Sequence, residues 1–468
     1  MANLNNLCFI LLALLCPLLL RAQTPELTGI LERLDRLERE NRTLAEEVRA
    51  LRAELAASRD RAELRNDSEP RPEGTPAAEG EAPTATLEQR LEIQEHRIEE
   101  QAQTKVEASQ KFPIRLTGLA LFNSFLNSGH NGRADDPTFA TLARGPRDGG
   151  ATMRQTIIGL EYRGPETIWG GRVHGSVFMD FYNGVYSGSG YLAEWARLRT
   201  GSIEIDWNHR SVMVGVEKPI FNPREPSSLA QVGVSPLTGA GNLWLWLPQA
   251  RVEQDLSFGP ASGLRARLGV VETHETTPYG APNFAGRVEP ARPGAEGRFE
   301  FFHNLDDQRR LEIAAGFHAS TTHAGGFSAP SSLLSVDWFF NPSSRLEFTG
   351  AFFTGQNVSH LGTGGINQGY IVYAHRAQAI AATGGWGQVT FHAASHLDFH
   401  FFSGQQNGDN SLFSTGDIGK NLAIGGNLFF HLAPNVVLAP EFLQLRTLYI
   451  GHGTATNNHY DLALGYFF

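Results

Sequence analysis

Tyr460-Asp461-Leu462-Ala463-Leu464-Gly465-Tyr466-Phe467-Phe468 is the stretch whose reading decides the fold. Tyr460, Leu462, Leu464, Tyr466 and Phe468 take every second position, and Asp461, Ala463, Gly465 and Phe467 fill the gaps. A period of two belongs to a β-strand, which sends successive side chains to opposite faces. One face of this strand is therefore an unbroken apolar and aromatic row. A half-buried strand of a soluble domain has the same period, so the rest of the chain must decide whether that row meets a core or a membrane.

Composition narrows the class. The chain has 468 residues, 41% of them hydrophobic, with a mean hydropathy of −0.25, which excludes a bundle of membrane-spanning helices. Barrels escape hydropathy because lipid-facing and lumen-facing residues alternate and average out. The one continuously apolar run, residues 7–20, is too short and too N-terminal to span a bilayer and reads as part of a signal peptide over 1–22, cut near Ala22. Both cysteines, Cys8 and Cys16, lie inside it. The exported chain would then hold no thiol, which excludes disulfides, thiolate metal sites and a cysteine nucleophile. Ala13-Leu14-Leu15 ahead of Cys16 departs from the small-residue pattern that precedes a lipid-modified cysteine. A net charge of −10, with no glycine-rich phosphate loop and no basic aromatic stretch, gives no reason to expect nucleic acid or a cofactor.

Residues 23–65 carry a coiled coil. Leu27, Ile30, Leu34, Leu37, Asn41, Leu44, Val48, Leu51 and Leu55 follow spacings of three and four without a slip, separated almost wholly by Glu, Arg, Asp and Ala. Sustained heptads of this kind specify helices that associate with copies of themselves, and Asn41 at a core position fixes their register. Leucine at both core positions leaves two or three strands open. At ~1.5 Å per residue, residues 27–58 span ~48 Å. Residues 66–86 turn abruptly to Pro, Glu, Gly and Ala and read as a spacer with nothing to build a core from. A shorter, more polar helix is expected over 87–111.

From residue 112 to 468 the pattern becomes an up-and-down meander. Compact turns are expected at Gly164-Pro165-Glu166, Trp207-Asn208-His209, Gly259-Pro260-Ala261-Ser262, Asp306-Asp307-Gln308, Asn341-Pro342-Ser343-Ser344, Thr383-Gly384-Gly385 and Ala433-Pro434-Asn435. Long connections alternate with them at 127–150, 184–190, 219–242, 276–295, 320–328, 355–368, 402–418 and 450–456. Seven turns and eight loops imply about sixteen antiparallel strands. An even count with short turns at one end and long loops at the other is the signature of a transmembrane β-barrel. Alternation is clear in several strands: Val173, Val177 and Met179 against His174, Ser176 and Asp180; Leu311, Ile313 and Phe317 against Arg310, Glu312 and His318; Leu422, Ile424 and Leu428 against Asn421 and Asn427. Residues 243–258, with Trp244, Trp246 and Pro248, and 436–449, with Pro440, are expected to bend or bulge.

The aromatic row ending in Phe468 resembles the closing strand of bacterial outer-membrane barrels, where it serves as the signal for the barrel-insertion machinery; Tyr460, Leu462, Leu464, Tyr466 and Phe468 are the residues that match. With an export signal, a coiled coil, a Pro-rich spacer and this barrel, the chain resembles the DcaP-like trimeric porins and the wider group that includes the phosphate-selective porins. Trp195-Ala196-Arg197-Leu198-Arg199 and the residues after it to Pro219 are similar to the porin pattern of an arginine-rich strand, a short turn and a strand opening into a loop. The resemblance implies a homotrimer in outer-membrane lipid, a periplasmic coiled coil, and passive diffusion of small polar or charged solutes.

The resemblance also implies that the loop after the fifth strand, 219–242, folds into the lumen. Its charges, Arg224 and Glu225 with Lys218 and Glu217 just before, would then face wall residues on polar strand faces: Arg172, Arg197, Arg199, Arg251, Arg265, Arg267, Arg298 and Arg310. Opposed charges in a constriction set ion preference and orient dipolar solutes. Each Arg could equally be a solvated residue paired with a carboxylate such as Asp180, Glu253, Asp255, Glu300 or Glu312. Basic and acidic residues nearly balance over the barrel, and Lys218 and Lys420 are its two lysines, so neither strong anion selectivity nor a phosphate channel is expected. His392, His396, Asp398 and His400 fall at even intervals; on one strand His396 and His400 would stand about 13 Å apart, too far for one metal ion. No G-x-S-x-G or H-E-x-x-H stretch points to an enzyme. The rival reading is an anchor, in which the coiled coil reaches peptidoglycan and the barrel merely holds it in the outer membrane.

Overall fold

The computed structural model describes residues 114–186, 192–280, 284, 286–373 and 376–468. The signal peptide, coiled coil, spacer and second helix expected at 1–111 lie outside the described residues. Nineteen strands follow one another among the described residues: β1 (Ile114–Asn127), β2 (Asp148–Thr152), β3 (Ile157–Glu166), β4 (Arg172–Tyr186), β5 (Leu192–Trp207), β6 (Arg210–Glu217), β7 (Leu247–Ser257), β8 (Ser262–His274), β9 (Ala291–Asn304), β10 (Arg310–Ala324), β11 (Phe327–Ser343), β12 (Leu346–Gln356), β13 (Tyr370–Tyr373), β14 (Arg376–Ala379), β15 (Ala381–Ala394), β16 (Leu397–Gly408), β17 (Ile418–Ala433), β18 (Val436–Tyr449) and β19 (Gly453–Phe467). β2 and β3 pair end to end with β1 and make one interrupted wall strand, and β13 and β14 form a separate hairpin. The rest pair antiparallel with their neighbours. The ring closes where β1 meets β19, from Leu119 opposite Phe467 to Asn127 opposite His459. The result is a closed sixteen-stranded barrel.

The faces are inverted relative to a soluble protein. On β19, Tyr460, Leu462 and Leu464 point outward and are 52%, 48% and 44% exposed, while Asn457, His459 and Asp461 are buried inside. β9 does the same, with Phe299 and Phe301 outside and Glu296, Arg298 and Glu300 inside. So does β11, with Leu334 and Val336 outside and Ser331, Ser335 and Asp337 inside. An apolar belt around a polar interior fits hydrocarbon, and a closed ring leaves no unpaired strand edge within it. The barrel is therefore a transmembrane one.

Seven short turns close one end and the longer connections the other. The sequence places most of them correctly, with four corrections. Thr383-Gly384-Gly385 is not a turn: it lies inside β15, and the turn falls at 395–396. There the glycines make room, because Gly241 of the loop between β6 and β7 sits against the backbone of Gly385 with a φ of 103°. The loop before β15 consequently extends over 357–380, and the next one shrinks to 409–417. The connections expected at 320–328 and 450–456 are tight, covering only 325–326 and 450–452. Trp244 and Trp246 belong to the loop, not to a bent strand, since β7 begins at Leu247. Pro440 does disturb pairing, for the β17 ladder skips from Asn427 opposite Glu441 to Phe430 opposite Leu438.

A cation placed on the outward face has no partner in lipid. Leu462→Arg is expected to destabilise the barrel by about 2–4 kcal/mol near the bilayer midplane, measured by denaturant unfolding in lipid vesicles; Leu448→Arg, nearer the long-loop end, should cost clearly less.

Candidate channel constriction

The fifth wall strand, β6, opens into residues 218–246, which run inside the barrel. Pro219, Pro223, Pro226 and Pro236 prevent this stretch from joining the ladder, while Ile220, Phe221, Leu229, Val234, Leu237, Leu243 and Trp244 are each at least nine-tenths buried against the inner wall and neighbouring loops. Ile220, Phe221 and Leu243 pack with Val271, Leu333, Phe353 and Leu361, and Leu229 packs with Leu119, Leu121, Val437 and Ala463. The loop and these inward apolar wall residues together form the buried apolar clusters inside the ring.

Its backbone groups, removed from water, require partners. Wall side chains supply them. Glu296 accepts from Ile220 N at 2.8 Å, Ser335 donates to Phe221 O at 3.0 Å, and Gln388 accepts from Ser227 N at 2.8 Å. Asn123 donates to Leu229 O at 2.8 Å, Gln155 Oε1 accepts from Val232 N and Gly233 N at 2.7 and 2.6 Å, and Asn421 donates to Gly239 O at 2.9 Å. The sequence puts Asn421 on a polar strand face but does not single out the other three. Asn123 and Gln388 also hold inward, period-two strand positions, and Gln155 lies in the turn between β2 and β3.

Charged residues fall into two sets. One is locked: Arg298, 2% exposed, binds Asp337 at 2.7 Å and Glu300 at 2.5 Å, and Arg224 of the loop adds bonds to Asp337 at 2.6 Å and Glu312 at 2.5 Å. This set clamps the start of the loop to β9, β10 and β11. The other set lies along β5, β7 and β8 and on the loop beside them. Arg197 and Arg199 share Asp180, at 2.6 and 2.8 Å, and also donate to Gly233 O and Val232 O of the loop. Trp246 lies under both guanidinium groups, 4.5 Å from that of Arg199. Lys218 pairs with Glu225, whose second oxygen accepts from Ser235 Oγ. Burial works against the charge of Glu225, but Lys218, Ser235 and Arg199 outweigh it and hold its carboxyl below the usual range. Arg267 binds Glu253, and Arg265 binds Asp255 at 2.9 Å. Arg251 has no ion pair among the described residues, and its Nε is buried without a hydrogen-bond partner; Arg267, Glu253, Glu217 and Glu204 are its charged neighbours.

Of the sequence candidates, Arg197, Arg199, Lys218, Arg224, Glu225, Arg251, Arg265 and Arg267 therefore lie along the inner wall of β5–β11 or on the loop beside it. Arg172 stands apart, exposed at the short-turn end of β4 opposite Asp206, and Arg310 sits half-exposed at the same rim. The histidine row needs correction. The turn at 395–396 puts His392 on β15 and Asp398 and His400 on β16, so they do not share one strand. Asp398 bridges His392 at 2.7 Å and His431 of β17 at 3.0 Å, His400 meets Asn427, and the His396 ring packs on Phe430. Among the described residues no group of three or more His, Cys, Asp or Glu is placed to hold a metal ion.

A closed sixteen-stranded barrel narrowed by one inward loop is the architecture of outer-membrane porins. Among solved structures it is similar to the outer membrane channel DcaP of Acinetobacter baumannii, with a TM-score of 0.62 and 14% identity over 76% of this chain and 97% of that one. It is also similar to an anion-selective porin from Comamonas acidovorans, with a TM-score of 0.50 and 10% identity over 76% of this chain and 99% of that one. No protein-family model matches the sequence, and no curated protein matches it. At these identities the likeness is one of fold.

Two measurements probe the site. Removing Arg298 leaves Asp337 and Glu300 buried with Arg224 and Arg265 as their remaining cations, so Arg298→Met should cost about 3–5 kcal/mol, whereas Arg310→Met at the rim should cost about 0–1 kcal/mol; denaturant unfolding distinguishes them. Asp136, in loop 128–147, is pushed up to about 6 by burial despite the Tyr182 hydroxyl at 2.7 Å and nearby Arg133. The folded state then holds this proton more tightly than the unfolded chain, so its contribution to stability declines as pH rises from about 4 to about 6 and is constant above that. Asp136→Asn should flatten that part of the pH profile of the unfolding midpoint; an unchanged slope would contradict the assignment.

Proposed function

We propose that the protein is a porin, a water-filled channel for passive diffusion of small polar or charged solutes across the bacterial outer membrane. The observation that carries this reading is the loop 218–246, anchored all round the inner wall yet leaving Arg197, Lys218, Glu225 and Arg267 in reach of water. An interior built only for stability has no need of cations at a narrowing, where charge acts most strongly on a passing solute. The short turns face the periplasm and the long loops the outside, as in barrels of this kind. The working unit is a homotrimer in outer-membrane lipid, inserted through the signal formed by Tyr460, Leu462, Leu464, Tyr466 and Phe468, with the coiled coil of 23–65 in the periplasm. Arg197, Arg199, Lys218, Arg251, Arg265 and Arg267 stand beside Glu225, Glu253 and Asp255 and give the narrowing a mixed charge; Arg172 acts at the periplasmic mouth.

Purified protein in planar bilayers should give stepwise conductance in multiples of three. Arg251→Gln, which removes the inner-wall cation without an ion pair, should move the reversal potential in a salt gradient toward cation preference; Glu225→Gln should move it the other way. Absence of conductance from folded protein would contradict the channel. The anchor reading is separated by deleting residues 26–110, which leaves conductance intact in a porin and abolishes envelope attachment in a tether.

A further inference from the structure

We propose that Glu441 and Asp461 share a single proton and together form a clasp, controlled by that proton, on the infolded loop. Glu441 on β18 and Asp461 on β19 stand directly opposite each other in register, so their side chains leave the same, inward face. Each residue is 5% exposed. Glu441 Oε2 accepts from Ser228 Oγ at 2.6 Å and from Asn427 Nδ2 at 2.9 Å, and Asp461 Oδ1 accepts from Asn123 Nδ2 at 3.1 Å. The two remaining oxygens, Glu441 Oε1 and Asp461 Oδ2, are buried without a partner.

No cation among the described residues forms an ion pair with either carboxylate. Facing the pair from β17 is Asn427, held by His400; from β1, Asn123; from the loop, Ser228 and Leu229. His459, two positions along β19, is committed through Nδ1 to Asn127. The other charged groups that bear on the pair are more carboxylates, Asp135 and Asp136 of loop 128–147, and Arg154 is bound to Asp135 at 2.5 Å. Two carboxylates buried side by side cannot both ionise without a counter-charge. One proton, carried as O–H on one carboxyl and donated to the other, satisfies both orphan oxygens at once and leaves the pair with one negative charge. The pair titrates as a unit.

The same side chains hold the loop. Asn123 also donates to Leu229 O at 2.8 Å, and Asn427 to Ser227 O at 2.8 Å, so residues 227–229 rest on the carboxyl pair through two amides and a hydroxyl. Loss of the shared proton places a second charge in the site. Glu441 and Asp461 are fixed by strand ladders on both sides, whereas 227–229 is fixed by side-chain bonds, so the loop is what yields as water enters.

The proton can be seen without any assumption about transport. Infrared spectra of the folded barrel at about pH 7 should contain a protonated-carboxyl stretch, shifted in deuterium oxide, that is lost in the isosteric double variant Glu441→Gln, Asp461→Asn and lost in the wild type on raising the pH to about 10. Heat-modifiable gel migration checks that the variant is folded. Over the same pH range the wild-type channel should show several-fold more frequent brief closures, and the double variant should not; this arm rests on the porin reading. A spectrum identical in wild type and variant at neutral pH overturns the shared proton. A band that is lost as expected, with closures equally frequent in both proteins, overturns the control of the loop.

Discussion

Pairing of β1 with β19 is the constraint on which the structure depends. In hydrocarbon an unpaired backbone N–H or C=O costs several kcal/mol, so a sheet can sit in a bilayer only if its first and last strands find each other. Nine residue pairs, Leu119 with Phe467 through Asn127 with His459, accomplish this. Once the ring is closed, alternation does the rest. Tyr460, Leu462 and Leu464 are committed to the outside, and Asn457, His459, Asp461 and Ala463 to the inside, because a slip of one residue would exchange the two sets.

A sixteen-stranded ring is too wide for its own side chains to fill, and residues 218–246 occupy part of that space. The loop is apolar enough to bury itself there and irregular enough to need help with its backbone. Inward Asn and Gln residues give that help, and the locked Arg298, Asp337, Glu300 and Arg224 group fixes where the loop begins. What is left facing water, between the loop and β5–β8, is charged. The arginines differ in how they are held: Arg298 and Arg224 each bind two or more carboxylates at the start of the loop, Arg265 meets Asp255, Glu253 and Glu300, Arg197 and Arg199 share Asp180, and Arg251 has no ion pair among the described residues.

Most of the wall was legible in the sequence, because a period of two and a turn every dozen or so residues are local signals. The strand count and the closing strand were readable, the infolded loop followed only from the resemblance to porins, and all the charged constriction candidates except Arg172 and Arg310, which stand at the rim, lie along the inner wall of β5–β11 or on the loop beside it. Errors arose where glycine served a different purpose. Gly384 and Gly385 read as a turn but mark the place where the loop backbone presses on β15, a contact between residues more than a hundred positions apart. That mistake shifted the next turn and merged His392 and His400 onto one strand. Trp244 and Trp246 read as a strand because aromatic residues favour strands, yet they are the return of the loop, with Trp246 under Arg197 and Arg199 and Trp244 packed edge-on against it. The carboxyl pair at Glu441 and Asp461 could not be seen at all, since register between strands is not written in either one.

The central claim is that water lies inside this ring and lipid outside it. Single cysteines along β8 test it most directly, at Leu264, Arg265, Ala266, Arg267 and Leu268, in protein reconstituted into vesicles. Strict alternation is expected: positions 265 and 267 react with a charged, water-soluble thiol reagent, and fluorophores at 264, 266 and 268 are quenched by nitroxides confined to the bilayer. Aqueous labelling at 264, 266 and 268 with lipid quenching at 265 and 267, or no alternation at all, would contradict it.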